Sequence, residues 1–271
     1  MANTARQRTL SIRDKTLRDL QRIYGNEWRE LRKDIEPRID EMLLHDDEAT
    51  QAERLEHADK HGRDALIAAF VAAALLANRK ANTRINTCLV DVYGVNADDV
   101  RGYIASATGV NLARRDVGVQ SLLSGFTKKA YARRLSKTHV SRGIINEVER
   151  LLKDGKGTRV ISKHLETMFS MNRTGAYRIA VTESTRIQTL GRLDAIREAE
   201  RHGMVIKKIW RHQVHVKAPR DFHLSMDGQE ANDDGEFESG LGNMSIGPGL
   251  FGLPEEDINC RCFLDERIES W

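Results

Sequence analysis

The stretch AYRIAVTESTRIQTLGRLDAIREAERHGMVIKKIW, residues 176–210, changes its period once, and that change decides the fold. Ala176, Ile179, Ala180, Ile187, Leu190, Leu193 and Ile196 recur at helical spacing, which predicts a helix with one apolar stripe facing a core. Gly203 stands where a helix C-terminal cap belongs. Beyond it, residues 204–210 contain β-branched and apolar residues, which read as a strand. A long helix feeding a strand, late in a helix-rich chain, predicts an α+β protein.

Upstream, helices are expected throughout. Only four prolines occur, at 37, 219, 248 and 254, so the 181 residues between the first two lack the main helix breaker. Alanine, leucine and charged residues dominate there. The patterns predict helices over 11–44, with a kink or split at Pro37, and over 49–78. Tyr93-Gly94-Val95-Asn96 reads as a turn, with Asn96 capping a helix to 107. Further helices are expected over 121–135, 140–152, 158–169 and 172–202, the last capped by Asn172. The apolar run 65–77 spans about 20 Å as a helix, short of the ~30 Å hydrocarbon core, so it reads as a buried helix and not a membrane span. Residues 1–20 hold no apolar stretch of the kind a signal peptide needs.

Charge is distributed unevenly. The net charge of +3 names no partner, but residues 34–59 hold ten acidic side chains against two basic. Residues 112–143 hold eight basic against one acidic. Lys128, Lys129, Arg133 and Arg134 are the candidate contacts to DNA phosphates, without sequence preference. A solvated helical face explains the same cluster.

Downstream, Pro219 opens a short helix carrying His223, stopped by Asp227-Gly228. Residues 232–257 are glycine-rich and read as an irregular loop, and 260–264 as a second strand. Three cysteines make no disulfide framework, and Cys88 reads as core. In a strand Cys260 and Cys262 share a face. Two thiolates and the imidazole of His223 would supply three tetrahedral zinc ligands, with His212, His215 or Asp221 as a fourth. Two buried thiols packing beside a hydrogen-bonded His223 is the plainer reading, and a cysteine nucleophile with His223 as its base is a third.

Glu183 lies on the apolar stripe, and a carboxylate there needs a partner. Arg186 is one turn on, with Arg211, Arg220 and Arg261 as more distant candidates. A buried ion pair fixing helix to sheet, a catalytic carboxylate, and an exposed helix with a drifted stripe are the three readings of that position.

Taken in order, Thr182-Glu183 with Arg186, then Trp210, His223, Asp227-Gly228, Glu236-Phe237, Pro254 and Asn259-Cys260-Arg261-Cys262 resemble the head morphogenesis domain of Mu F-like phage minor head proteins. The resemblance covers roughly residues 140–265 and departs from the family pattern at Val181 and Gln188. It implies domains over 1–138, attaching to portal or capsid, and 139–271, the head morphogenesis domain, whose outline is similar to ADP-ribosyltransferase folds. It further implies a structural protein with no catalytic residues, located inside the virion head near the portal, and in the host cytoplasm during assembly. Expected partners are the portal protein, the major capsid or scaffolding protein and packaged double-stranded DNA, with no membrane. The competing readings are an ADP-ribosyltransferase-like or hydrolytic enzyme and a non-specific DNA-binding head-interior protein.

Overall fold

A computed structural model describes residues 2–43, 60–113, 158–213 and 219–271, together with residues 147, 150 and 151. The fold is α+β. Three long helices, α1 (Ala2–Leu43), α2 (Lys60–Thr108) and α3 (Thr158–Arg201), precede a C-terminal segment of short elements. These are β1 (Val205–Arg211), α4 (Asp221–Leu224), β2 (Phe237–Glu238), β3 (Met244–Ser245), α5 (Pro254–Asp257) and β4 (Phe263–Ser270). Among the described residues no helix is long and apolar enough to cross a membrane.

The helices are longer than local signals suggest, because tertiary partners override those signals. In α1 the buried positions Thr9, Arg13, Thr16, Leu20, Tyr24, Trp28, Leu31, Ile35 and Ile39 recur every three or four residues. The helix therefore starts well before Ser11, the expected start, and Pro37 does not split it. The turn expected at residues 93–96 is helical too. Asn96 is buried and caps nothing. Its Nδ2 donates to the Val92 carbonyl at 2.8 Å and to Thr9 Oγ1 on α1 at 2.9 Å. The helix ends instead at Gly109, which takes φ +77° and donates to the Ala105 carbonyl. Likewise the break expected between residues 169 and 172 is absent, because Ile161, Leu165, Phe169, Ala176 and Ala180 form one continuous buried stripe. Gly203 closes α3 as expected, at φ +86°, with Gly203 N–H to Glu200 and Met204 N–H to Ala199, a Schellman cap. The expected basic helix over 121–135, the DNA-contact candidates Lys128, Lys129, Arg133 and Arg134, and most of 34–59 beyond Leu43 lie outside the described residues.

The chain divides into two compact units, each built from discontinuous stretches. One comprises residues 18–84 and 124–177. Its core centres on Phe169, met by Tyr24 (5.9 Å between ring centroids), Trp28 (5.8 Å) and Phe70 (5.7 Å). The expected burial of the apolar run is seen at Phe70, Val71, Ala74 and Ala77. Tyr24 donates to Asn78 Oδ1 at 2.6 Å, and Arg84 pairs with Asp19 at 2.7 Å.

The other unit comprises residues 1–17, 85–123 and 178–271. Within it β1 and β4 pair antiparallel from Val205↔Ser270 to Arg211↔Phe263, with an irregularity after Val205. Residues 228–231 run along the other edge of β1, where Trp210 N–H donates to Gln229 and Ala231 N–H to Lys208. The glycine-rich stretch, expected as loop, holds the β2–β3 hairpin and α5. The expected strand over 260–264 is corrected: β4 starts at Phe263, so Cys260 and Cys262 precede it. Asn259 takes φ +58° just before them, which breaks the strand geometry. Close helix approach is secured at Gly191, where a Cβ would lie 2.8 Å from the Tyr93 carbonyl oxygen. Across α2, α3 and β4 runs a buried ionic triad. Arg192 reaches Glu266 at 2.7 Å and Asp99 at 3.0 Å.

Candidate functional site

The middle of α3 presents Thr182, Thr185, Arg186 and Thr189, spaced three and four apart, along one face of the helix. Each engages the C-terminal segment. Thr182 Oγ1 accepts the Asn259 N–H at 3.0 Å while donating to the Arg178 carbonyl. Thr185 donates to the Cys260 carbonyl at 2.5 Å, and Thr189 to the Pro248 carbonyl at 2.8 Å. Arg186 Nε donates to the Gly249 carbonyl at 3.0 Å. The backbone lies so close that a Cβ at Gly247 would sit 2.6 Å from Thr189 Cγ2. Gly249, at φ +77°, lies 3.1 Å from the Arg186 nitrogen by the same measure. The Thr-Glu-Ser-Thr-Arg run is thus a ladder of hydroxyls and a guanidinium that satisfies loop groups which would otherwise be buried without partners.

Glu183 is buried and pairs with Arg186 at 3.4 Å, and Arg186 also reaches Asp257 at 3.6 Å. Asp257 in turn accepts the N–H groups of Phe251 and Gly252. Of the other candidate partners for Glu183, Arg211 pairs with Asp265, Arg220 donates to the Ile258 carbonyl, and Arg261 lines a cleft with Arg6, Arg13 and Gln188. Burial pushes the Glu183 carboxyl above its usual range, Arg186 opposes this, and Asp257 adds to it. A carboxyl raised in the folded state stabilises most below its unfolded value and loses that contribution as pH rises through the folded one. Glu183→Gln, which does not titrate, should therefore gain stability relative to wild type between pH 4 and pH 7, read from urea midpoints. A wild type that gains on the variant over that window contradicts the assignment.

Asn259 holds the turn that aims both cysteines. Its left-handed backbone suits asparagine or glycine and strains most other side chains. Asn259→Gly should be near neutral, whereas Asn259→Val should cost about 1–3 kcal/mol in denaturant unfolding.

Beyond that turn, four side chains from three segments converge. His223 Nδ1 lies 3.8 Å from Cys260 Sγ and 3.8 Å from Cys262 Sγ. Its Nε2 lies 2.8 Å from Glu256 Oε2. Glu256 is fully buried, and its Oε1 accepts from Ser239 at 2.7 Å and Asn243 at 2.9 Å. Aromatic rings enclose the imidazole. Trp210 meets it edge-on at 5.7 Å, Phe222 at 5.0 Å, and Phe251 stacks at 6.1 Å. Burial works against the Glu256 charge, but hydrogen bonds from Asn243, Ser239 and His223 outweigh it and hold that carboxyl below its ordinary range. His223 is raised, because Cys260 and Glu256 together overcome its burial. The Cys262 S–H and His223 bring Cys260 down to about 5, while Cys260 and burial drive Cys262 up. None of the three cysteines is in a disulfide, and Cys88 is buried in α2.

Asp227 and Gly228 fasten the end of β1. Asp227 accepts the His212 N–H at 2.8 Å, and Gly228, at φ +84°, donates to the Trp210 carbonyl. Asp221 is exposed at the start of α4 and does not join the thiol cluster, and His215 lies outside the described residues. Sequence reading missed Glu256, Ser239, Asn243, Thr185 and Thr189. The threonines carried a signal, since they recur with Thr182 at helical spacing beside an apolar stripe. Glu256 carried none, because Glu255 and Asp257 flank it.

Chemically, an imidazole between a carboxylate and a thiolate is the order of a nucleophilic triad. Here every member is at most 2% exposed, and none lines the cleft at Arg261. Among the described residues, both sulfurs are buried under the surrounding side chains.

Residues 142–265, just under half of the chain, match the family described as Phage Mu protein F like protein. The chain is 32% identical over 144 residues to NAD(+)--arginine ADP-ribosyltransferase EFV of Enterococcus faecalis, covering 52% of this chain and 29% of that protein. It is 24% identical over 185 residues to Minor head protein GP7 of Bacillus phage SPP1, covering 68% of this chain and 59% of the relative. The chain thus spans less than two thirds of either relative's length. No solved structure matches it.

Proposed function

We propose that this chain is a structural component of the phage head, built in during procapsid assembly at the portal vertex and retained inside. Its N-terminal helices bind the portal or the capsid wall, and its C-terminal segment forms a rigid block locked onto α3. One observation carries this reading. The side chains with chemical potential, Glu183, His223, Glu256, Cys260 and Cys262, are all buried and engaged with one another or with partners in the docked segment. Such groups hold a fold together and turn nothing over.

The basic stretch 112–143 is suited to packaged DNA, by phosphate contact that weakens steeply with salt. The portal contact is tested by co-expression of the full chain with the portal protein and co-purification at physiological salt. Association that survives gel filtration supports the reading, and clean separation counts against it.

A second reading, ADP-ribosyl transfer, is favoured by the activity for which one relative is named. More than two thirds of that protein lies outside the matched region, so its named activity need not reside in the shared part. Incubation of the full chain with labelled NAD+ and an arginine-rich acceptor should yield no transferred label. Multiple turnovers abolished by Glu183→Gln would make the transferase reading the correct one.

A further inference from the structure

We propose that Cys260, Cys262 and His223 bind one zinc ion, and that the ion clamps the C-terminal segment around α3. The proposal stands on the local geometry and does not depend on which head protein the chain contacts. The three donor atoms lie within 4.8 Å of one another, and all three residues are buried. A tetrahedral zinc with Zn–S of about 2.3 Å and Zn–N of about 2.0 Å sets nitrogen and sulfur about 3.6 Å apart. His223 Nδ1 stands 3.8 Å from each sulfur, within a few tenths of an ångström of that nitrogen–sulfur spacing.

The ring is already oriented for the task. Its Nε2 faces Glu256 at 2.8 Å and its Nδ1 faces the two thiols. A carboxylate fixing the far nitrogen of a metal-bound imidazole is the usual support for such a ligand. Glu256 is itself held by Ser239 and Asn243, so the supporting residues are in place before any ion arrives. Two thiolates and an imidazole suit zinc and discriminate against magnesium and calcium, which take oxygen ligands. Coordination requires both thiols deprotonated and Nδ1 free of its proton. Solvent would complete the fourth position, since His212 is not among the side chains gathered there.

The ion would join segments that the chain otherwise connects only through loops. His223 comes from α4, and the Cys260 carbonyl is held by Thr185 of α3. Zinc binding would then add directly to folding stability.

The experiment uses the full chain, purified without chelator or affinity metal. Elemental analysis should find one zinc per chain in wild type and in Cys88→Ser, and none in Cys260→Ser, Cys262→Ser or His223→Ala. Because those three variants can fail to fold, wild type carries a second measurement. A strong chelator should lower its Tm, added Zn2+ should restore it, and Mg2+ should not. Cobalt in place of zinc should give the intense visible bands of a tetrahedral site with thiolate charge transfer. Glu256→Gln, a positioning change, should keep that spectrum while weakening metal affinity about 10–100-fold. Zinc retained by a folded Cys260→Ser/Cys262→Ser double variant would mark it as adventitious and overturn the proposal. So would a metal-free wild type whose Tm ignores both chelator and Zn2+.

Discussion

Replacing Arg192 by methionine should destabilise the chain by about 3–5 kcal/mol in urea at pH 7. Arg192 has 3% side-chain exposure and donates to both oxygens of Glu266, itself at 4%, and to Asp99 at 13%. Burial disfavours the guanidinium charge, but Glu266 and Asp99 more than compensate and raise its pKa. Glu266 is pushed up by burial even with Arg192 beside it. Without the arginine, two carboxylates stay behind in a site with little water. Removing one member of such a group costs far more than the whole group contributes, since what remains is uncompensated charge. The deficit should shrink as pH falls toward 5. A raised carboxyl in the folded state contributes most when protonated and loses that contribution as pH rises. The double variant Arg192→Met/Glu266→Leu should recover part of the loss. A single variant within about 1 kcal/mol of wild type would mean the triad is solvated and structurally unimportant.

Trp210→Ala should cost about 3–5 kcal/mol, the usual range for emptying a large buried aromatic site. The indole is fully buried, 5.5 Å from the Phe237 ring, 5.9 Å from Phe251 and 5.7 Å from His223. It therefore supports both the β1 core and the wall that aims the imidazole at the thiols. Trp210→Phe keeps much of the volume and should cost clearly less in the same denaturant series. Equal losses for the two variants would show that the cavity is not what matters.

What was legible in the sequence divides along physical lines. The α3 stripe, the Gly203 cap and β1 could be read because each depends on neighbours in the chain: periodicity, a left-handed glycine, a β-branched run. The helical continuity through Asn96 could not, because what keeps that residue inside a helix is Thr9, 87 positions away. The same holds for residues 169–172, where aromatic partners of Phe169 from α1 and α2 override a local cap signal. Within the site, cysteine and histidine draw attention by chemistry alone. Glu256 does not, since nothing local separates the one carboxylate under His223 from its acidic neighbours. Arg192 and Glu266 are equally silent, being one arginine and one glutamate in a chain that is 31% charged.

The proposed place of this chain is inside the phage head. Quantitative mass spectrometry of heads purified from a lysate of the encoding phage or prophage tests it directly. The chain should be present in small, reproducible copy number relative to the major capsid protein, and depleted from heads when Arg192→Met replaces the wild-type sequence. A wild-type chain abundant in the soluble lysate and missing from purified heads would contradict the account.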